Sequence, residues 1–281
     1  MPDLGAILPA IITPFDAEGR VDEAVFVDLM GHLAGQGADG FVVAGTTGEA
    51  ATLDTDEHLG LIALAVREKP PGTTVIGGVG SNDTRHAVHM TRAACEAGVD
   101  GLLSVNPYYN RPNRRGILAH FAAVDAAADR PIVLYNLPQR TASDMDNELL
   151  AELAGLEHVS AVKQANNENL APVEGLELYA GNDEVLARTL DLGGAGGILV
   201  AAHLIAPQMR AMVDEPERRA ELAQEIQPLL DALAVAPAAI SVKAALTLLG
   251  RPVGAPRLPY VEASPDEVDT IRAALISAGL L

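Results

Sequence analysis

The chain has only three lysines, Lys69, Lys163 and Lys243, and each sits in different surroundings. Lys69 ends a helix-like stretch ahead of Pro70-Pro71 and reads as a solvated cation. Lys243 has apolar neighbours at helical spacing, where a long stem lies on apolar surface and the ammonium snorkels to water. Lys163 closes the apolar run Val159-Ser160-Ala161-Val162-Lys163-Gln164. An amine walled in by apolar groups loses solvation, which favours its neutral form, and a neutral amine can attack a ketone to form a Schiff base. The alternative for Lys163 is a buried ion pair, with Glu49 as partner. Gly45-Thr46-Thr47-Gly48-Glu49 offers two hydroxyls and successive backbone N–H groups that can bind a carboxylate. No Gly-Lys-Ser/Thr follows, so it is not a Walker loop; a turn chosen only for its backbone shape is the alternative. Three of the five tyrosines fall in two segments, Asn106-Pro107-Tyr108-Tyr109-Asn110-Arg111-Pro112 and Tyr135-Asn136-Leu137-Pro138-Gln139-Arg140. A phenol there can relay protons, and Arg140 presents a planar fork for a carboxylate unless Asp144 or Asp146 claims it. His86 and His89, three apart on a helical stretch, have weak metal-ligand spacing. No metal and no other cofactor is expected.

These groups need a scaffold that gathers strand ends. Eight short apolar runs, Ile7–Pro14, Gly40–Thr47, Thr74–Gly80, Gly101–Pro107, Pro131–Pro138, Val159–Gln164, Leu176–Gly181 and Gly197–Ala202, are continuous rather than alternating, as in strands of a parallel sheet buried on both faces. Helix-like segments separate most of them. Asp54–Lys69 has a helical apolar stripe, and Asp83–Ala97 runs from an N-cap aspartate to Gly98 at its C-terminal end. Asn167–Gly175 is ambiguous. A short pattern recurs before strands two, four and eight: Gly37-Ala38-Asp39-Gly40, Gly98-Val99-Asp100-Gly101 and Gly194-Ala195-Gly196-Gly197. One βα unit is being reused, and eight units predict an α/β fold, a (β/α)8 TIM barrel, whose strand C-termini carry the active site. The alternative is a doubly wound open sheet, but no Gly-x-Gly-x-x-Gly follows the first strand. Past residue 214 the strand signals stop. Glu215–Ala234, Ala238–Leu249 and Ser264–Ala278 read as three helices, the last opening on Ser264-Pro265-Asp266-Glu267. The expected division is a barrel over 1–214 and a helical appendage over 215–281.

Composition narrows the classes. In 281 residues, 38 acidic side chains against 19 Lys plus Arg leave a formal charge of −19, which argues against nucleic acid and against an anionic membrane surface. With 49% hydrophobic residues the chain can build a large core. Its longest uncharged central run, Gly193–Gln208, falls short of the ~20 apolar residues a membrane span needs. One cysteine, Cys95, and an opening MPDLGAILPA without basic residues fit a cytoplasmic enzyme without a secretory signal.

Taken in order along almost the whole chain, Ile11-Ile12-Thr13-Pro14-Phe15, Gly45-Thr46-Thr47-Gly48-Glu49, Pro107-Tyr108-Tyr109-Asn110-Arg111-Pro112, Tyr135-Asn136, Lys163 and Arg257-Leu258-Pro259 resemble the dihydrodipicolinate synthase/N-acetylneuraminate lyase family of pyruvate-dependent class I aldolases. The resemblance implies a Schiff base between Lys163 and pyruvate, and a proton relay of Tyr135, Thr46 and Tyr109, with Tyr109 reaching in from a neighbouring subunit of a homotetramer, a dimer of dimers. It implies Thr46 and Thr47 on the pyruvate carboxylate, Arg140 on the carboxylate of a second, aldehyde substrate, and Gly181 and Ile198 lining the pocket. Paired threonines and the arginine five positions after Tyr135 are features of the synthase branch. That branch condenses pyruvate with L-aspartate 4-semialdehyde to give 4-hydroxy-tetrahydrodipicolinate, on the way to diaminopimelate and lysine. The alternatives are a sugar-acid aldolase or dehydratase of the same family, acting on a 2-keto-3-deoxy acid, and a non-catalytic keto-acid-binding protein. The sequence departs from the synthase pattern at Gln164-Ala165-Asn166-Asn167, where Glu-Ala and then Ser/Thr-Gly are frequent. In lysine-inhibited members of the family the effector site corresponds to Ala50, Ala51, Thr55, His58, Asn82, His86 and Tyr108. Thr55 replaces a typical histidine and His86 a glutamate that holds the effector's ammonium, so weak or absent lysine inhibition is expected.

Overall fold

The computed structural model describes residues 3–281. Eight parallel strands, β1 (Ile7–Pro9), β2 (Gly40–Val43), β3 (Thr74–Gly78), β4 (Gly101–Val105), β5 (Ile132–Asn136), β6 (Val159–Gln164), β7 (Glu177–Ala180) and β8 (Gly196–Leu199), each lie beside their sequence neighbours. β1 pairs with β8, Ile7 opposite Gly197. A bridge between Ala10 and Val42, with Ile11 N donating to Val42 O at 3.1 Å, joins β1 to β2 and closes the ring. The fold is a (β/α)8 barrel. Seven of the apolar runs contain their strands, β8 starts one residue ahead of its run at Gly196, and most runs overshoot the C-terminal end. The surplus residues, Gly45–Thr47 and Leu137 among them, begin the loops on the chemical face.

Alternation sorts the strand residues between two cores. Leu8, Val42, Ile76, Leu103, Val133, Ala161, Tyr179 and Ile198 fill the barrel interior. Phe41, Val75, Leu102, Leu134, Val162 and Leu178 pack outward against the helices. Both faces are dry, so the strands read as unbroken apolar runs.

The helices are α1 (Glu23–Gly35), α2 (Thr55–Glu68), α3 (Thr84–Ala97), α4 (Arg114–Asp125), α5 (Pro138–Thr141), α6 (Asn147–Leu153), α7 (Leu186–Asp191), α8 (Ala202–Asp214), α9 (Arg219–Leu233), α10 (Ala238–Leu248) and α11 (Pro265–Ser277). Asp54 and Glu57 form a capping box on α2, Ser264 and Glu267 one on α11, and Asp83 caps α3. Gly98 ends α3 at φ 89°, as its sequence position suggests. The ambiguous stretch after β6 forms only a 3-10 turn, Asn167–Asn169, with Glu168 N donating to the Asn166 side chain at 3.2 Å. None of these helices alone is long and apolar enough to cross a membrane.

The recurring Gly-Asp pattern has a physical role at the barrel floor. Asp39 accepts from Ala6 N and Ile7 N at 2.7 and 2.8 Å, tying β1 to the entry of β2. Asp100 accepts from Val75 N at 2.8 Å, tying β3 to β4. Before β8 no aspartate is present, and the backbones meet directly: Gly197 N donates to Ala6 O at 2.8 Å, and a Cβ on Gly196 would lie 2.0 Å from that oxygen.

Two of the lysine readings are corrected here. Lys69 is half-buried and pairs with Asp100 at 2.6 Å. Lys243 does not snorkel: its side chain is 3% exposed, and its Nζ lies 2.6 Å from Glu49, a partner far away in the sequence.

Candidate active site

Lys163 stands on β6 between Ala161 and Ala165, both in the interior core, so the two-residue period points it into the barrel. It is 5% exposed. β5 pairs with β6 so that Tyr135 lies opposite Lys163, and the Lys163 Nζ sits 4.2 Å from the centre of the Tyr135 ring. Of the three lysines, Lys69 and Lys243 are bound to carboxylates, while Lys163 makes no ion pair among the described residues. The Glu49 partnership considered for Lys163 belongs to Lys243 instead.

A cavity of about 420 Å³ opens at the strand C-termini beside this pair. Thr46, Tyr135 and Arg140 line it, as do Ala50, Ala51, Thr55, His58, His86 and Tyr108. Thr47, Tyr109, Lys163, Gly181, Ile198 and Asn82 do not. Thr47 and Ile198 are buried beneath the surface, and Gly181, just past β7, is half-buried with its N donating to Gln164 O at 2.8 Å. Tyr109 is 89% exposed and turned away from its own chain.

The Thr46–Thr47 turn is held by backbone bonds from Glu49 N to Thr46 O and from Ala50 N to Gly45 O, at 3.1 and 3.2 Å. The Thr13 hydroxyl donates to Gly48 O at 2.6 Å. Ala44 and Glu49, at φ 54° and 56°, bracket the turn in the left-handed region that non-glycine residues seldom adopt. Arg140, on α5, makes no ion pair among the described residues. The two aspartates considered for it are engaged elsewhere: Asp146 caps α6 and meets Arg114, and Asp144 accepts from Asn136, Asn166 and Asn169.

Asn136 is a hub that the sequence reading passed over. Its Nδ2 donates to Asp144 Oδ1 at 2.7 Å and to Gln164 Oε1 at 3.0 Å, and its Oδ1 accepts from Met145 N at 3.0 Å. Gln164 Oε1 also accepts from Asn166 N at 3.0 Å. Both bonds need only an acceptor at position 164, which a carboxylate would also supply. The departure at Gln164 therefore leaves the loop frame unchanged. Asp183 was also missed, although Gly181-Asn182-Asp183 follows β7 as the other motifs follow their strands. Its Oδ1 accepts from Val200 N and Ala201 N, both at 3.0 Å, anchoring the loop after β8. Burial pushes its carboxyl up to about 6, against the pull of those amides and of Lys163. His203, in the uncharged central run, accepts from Ile12 N at 3.1 Å and donates to Val200 O at 2.7 Å, and burial lowers it to about 4.

A closed parallel barrel with an uncommitted lysine on a strand end, beside a phenol and a hydroxyl-bearing turn, defines the class of barrel enzymes that work through an amine nucleophile. Comparison with known proteins is consistent and more specific. Residues 3–278 match the model of the dihydrodipicolinate synthetase family, and the chain belongs to that family. It is 40% identical to a 4-hydroxy-tetrahydrodipicolinate synthase from Heliobacterium modesticaldum, over 99% of this chain and 97% of the relative. A dihydrodipicolinate synthase from Cyanidioschyzon merolae, solved with lysine bound, superposes with a TM-score of 0.95 at 38% identity, covering 100% of both chains. A chloride-inhibited dihydrodipicolinate synthase from Acinetobacter baumannii, solved with pyruvate, gives 0.94 at 31% identity, covering 99% of this chain and 100% of the other.

Proposed function

We propose that this chain condenses pyruvate with L-aspartate 4-semialdehyde to give 4-hydroxy-tetrahydrodipicolinate, through a Schiff base at Lys163. The observation that carries the reading is the state of the lysines: two are neutralised by carboxylates, and the one inside the barrel is not. An amine among apolar walls attacks the keto carbon of pyruvate, and loss of water gives the imine. The imine withdraws electrons, so the adjacent methyl loses a proton to give an enamine, whose carbon attacks the aldehyde. Tyr135, its ring centre 4.2 Å from the amine, is placed to pass protons on and off these intermediates, and Thr46 lines the same cavity. The Thr46–Thr47 turn takes the pyruvate carboxylate, and Arg140 at the mouth takes that of the semialdehyde. Gly181 and Ile198 flank the imine from behind the cavity wall, one tied to Gln164 O and the other in the barrel interior. Tyr109 completes the relay from a second chain in a homotetramer of two tight dimers. In this reading residues 1–214 form the catalytic barrel and 215–281 its helical appendage, and the enzyme works in the cytoplasm without a bound metal or cofactor.

Borohydride reduction in the presence of pyruvate tests the chemistry. One pyruvyl unit should be fixed on Lys163 and nowhere else, as read by peptide mass spectrometry. Labelling at another residue, or none, overturns the Schiff base. A rate panel of pyruvate with aspartate semialdehyde, N-acetylmannosamine and glyceraldehyde then tests the second substrate. A preference for either sugar-type aldehyde would move the chain to the sugar-acid branch.

A further inference from the structure

Glu49 has no part in the chemistry above, yet its side chain is fully enclosed. One oxygen, Oε1, lies 2.6 Å from Lys243 Nζ on α10, and the other accepts from Arg257 N at 2.9 Å. Lys243 is 3% exposed and also reaches Ala255 O at 3.4 Å. Around this pair the C-terminal chain is fastened to the barrel mouth. Lys243 Nζ and Arg257 Cζ each lie 4.3 Å from the centre of the Phe15 ring. Arg257 also donates to Gly19 O and Thr52 O, both at 2.8 Å, and pairs with Glu57. Phe15 N donates to Val253 O at 3.1 Å. Gly254, at φ 75°, lets the chains touch: a Cβ there would lie 1.8 Å from Phe15 O.

Burial lowers the pKa of Lys243 and Glu49 pulls it back up, so the ammonium depends on its partner. A pair enclosed this far adds little net stability, because desolvating both charges offsets their attraction. What it does fix is position. Glu49 is the last residue of the Gly45–Glu49 turn and is held in a left-handed conformation. A side chain anchored at both oxygens keeps that backbone in place, and Glu49 N in turn holds Thr46 O.

We propose that Glu49 and Lys243 are a positioning pair for the substrate carboxylate: Lys243, on α10, holds the Gly45–Glu49 turn from behind so that Thr46 and Thr47 present their donors to the keto acid. The proposal rests on the assignment of that turn to pyruvate. It makes α10 part of the binding site from behind, in addition to Pro259 and Tyr260 of the appendage, which line the cavity directly.

The readout is the pyruvate concentration that half-saturates borohydride labelling of Lys163, measured beside the thermal midpoint. Glu49→Asp keeps both charges but shortens the arm by one methylene. Its half-saturation should rise about tenfold, the cost of one displaced hydrogen bond, with maximal labelling unchanged. Glu49→Gln and Lys243→Met each leave an unpaired buried group and should lower the midpoint by several degrees. The double variant removes both charges, so its midpoint should recover while half-saturation stays raised, because neutral groups do not restore the short contact. Wild-type half-saturation in Glu49→Asp or in the double variant would overturn the proposal and leave the pair a purely structural one. Absence of labelling in the wild-type chain would overturn the Schiff-base reading, and the positioning role with it.

Discussion

At His86 one side chain decides whether the cavity can hold an ammonium group. The wall around it includes two carboxylates, and both are occupied: Glu49 by Lys243, and Asp54 by the N-terminus of α2. His58 turns its Nε2 to Gly78 O at 2.7 Å, and burial, together with neighbouring His86, lowers its pKa, so it brings no negative charge. An amino-acid effector there lacks a charge-assisted hydrogen bond of roughly 1.5–3 kcal/mol, a ten- to hundredfold loss of affinity. L-Lysine should therefore leave the initial rate at pH 8 unchanged up to about a millimolar, and His86→Glu should bring inhibition into that range. Half-inhibition of the wild-type chain below a millimolar would remove His86 from the argument. Among the lysines, Lys163 was legible because its local context, the end of an apolar run, is also its structural context. Lys243 was misread for the opposite reason. Its partner lies at the far end of the barrel sequence, and helical spacing carries no trace of a contact made across the fold.

Elements were read well where their ends are written in side chains. The expected caps Asp83 and Ser264 both cap, and each apolar run falls on a strand, β8 alone starting one residue early. What the pattern missed is where strand gives way to loop, because burial continues past the last ladder bond into turns such as Ala44–Thr47, where only Thr46 is exposed. The loop after β4 is the one that leaves the core. Tyr109 and Arg111 both have positive φ, 70° and 47°, and Asn110 ties the turn to Asn82 O at 2.8 Å. This strained, pinned turn directs a nearly bare aromatic ring outward, as suits a neighbouring chain's site. If Tyr109 works across a boundary, Tyr109→Phe and Lys163→Ala chains, each inactive alone, should complement when mixed. Random exchange gives mixed dimers with one intact site, about a quarter of all sites. No gain in rate, with exchange confirmed by native mass spectrometry, would confine Tyr109 to its own chain.

For the whole molecule, the buried titratable groups set a response to acid. Burial lowers His120 and His203 to about 4 from an ordinary value of 6.5. Between those values an unfolded chain binds two protons that the folded chain refuses, so stability falls with pH. Asp183 opposes this: folded, it binds a proton below about 6, whereas its ordinary value is 3.8. Two histidines against one carboxyl leave about one net proton taken up on unfolding, with His58 and His32 adding in the same sense and Glu177 against it, a loss of roughly 1 kcal/mol per pH unit from 6 down to 4. The urea midpoint should fall between pH 6 and 5 at constant m-value, and His120→Gln should flatten the slope. A level midpoint in the wild-type chain would mean that these histidines are protonated in the fold. None of this was legible from residue types, because His120 and His203 resemble the exposed histidines until their burial is known. The ring closure described above, finally, imposes a timetable. β1 leaves the ribosome first, and its β8 partner follows about 190 residues later, roughly ten to forty seconds at ordinary rates of synthesis. Through that interval the growing sheet has two bare edges, with β1 held to β2 by the Asp39 clamp and the Ala10–Val42 bridge but open on its β8 side. The mature barrel has no edge to offer another chain, so its exposure to edge-on aggregation is concentrated in the time before it is finished.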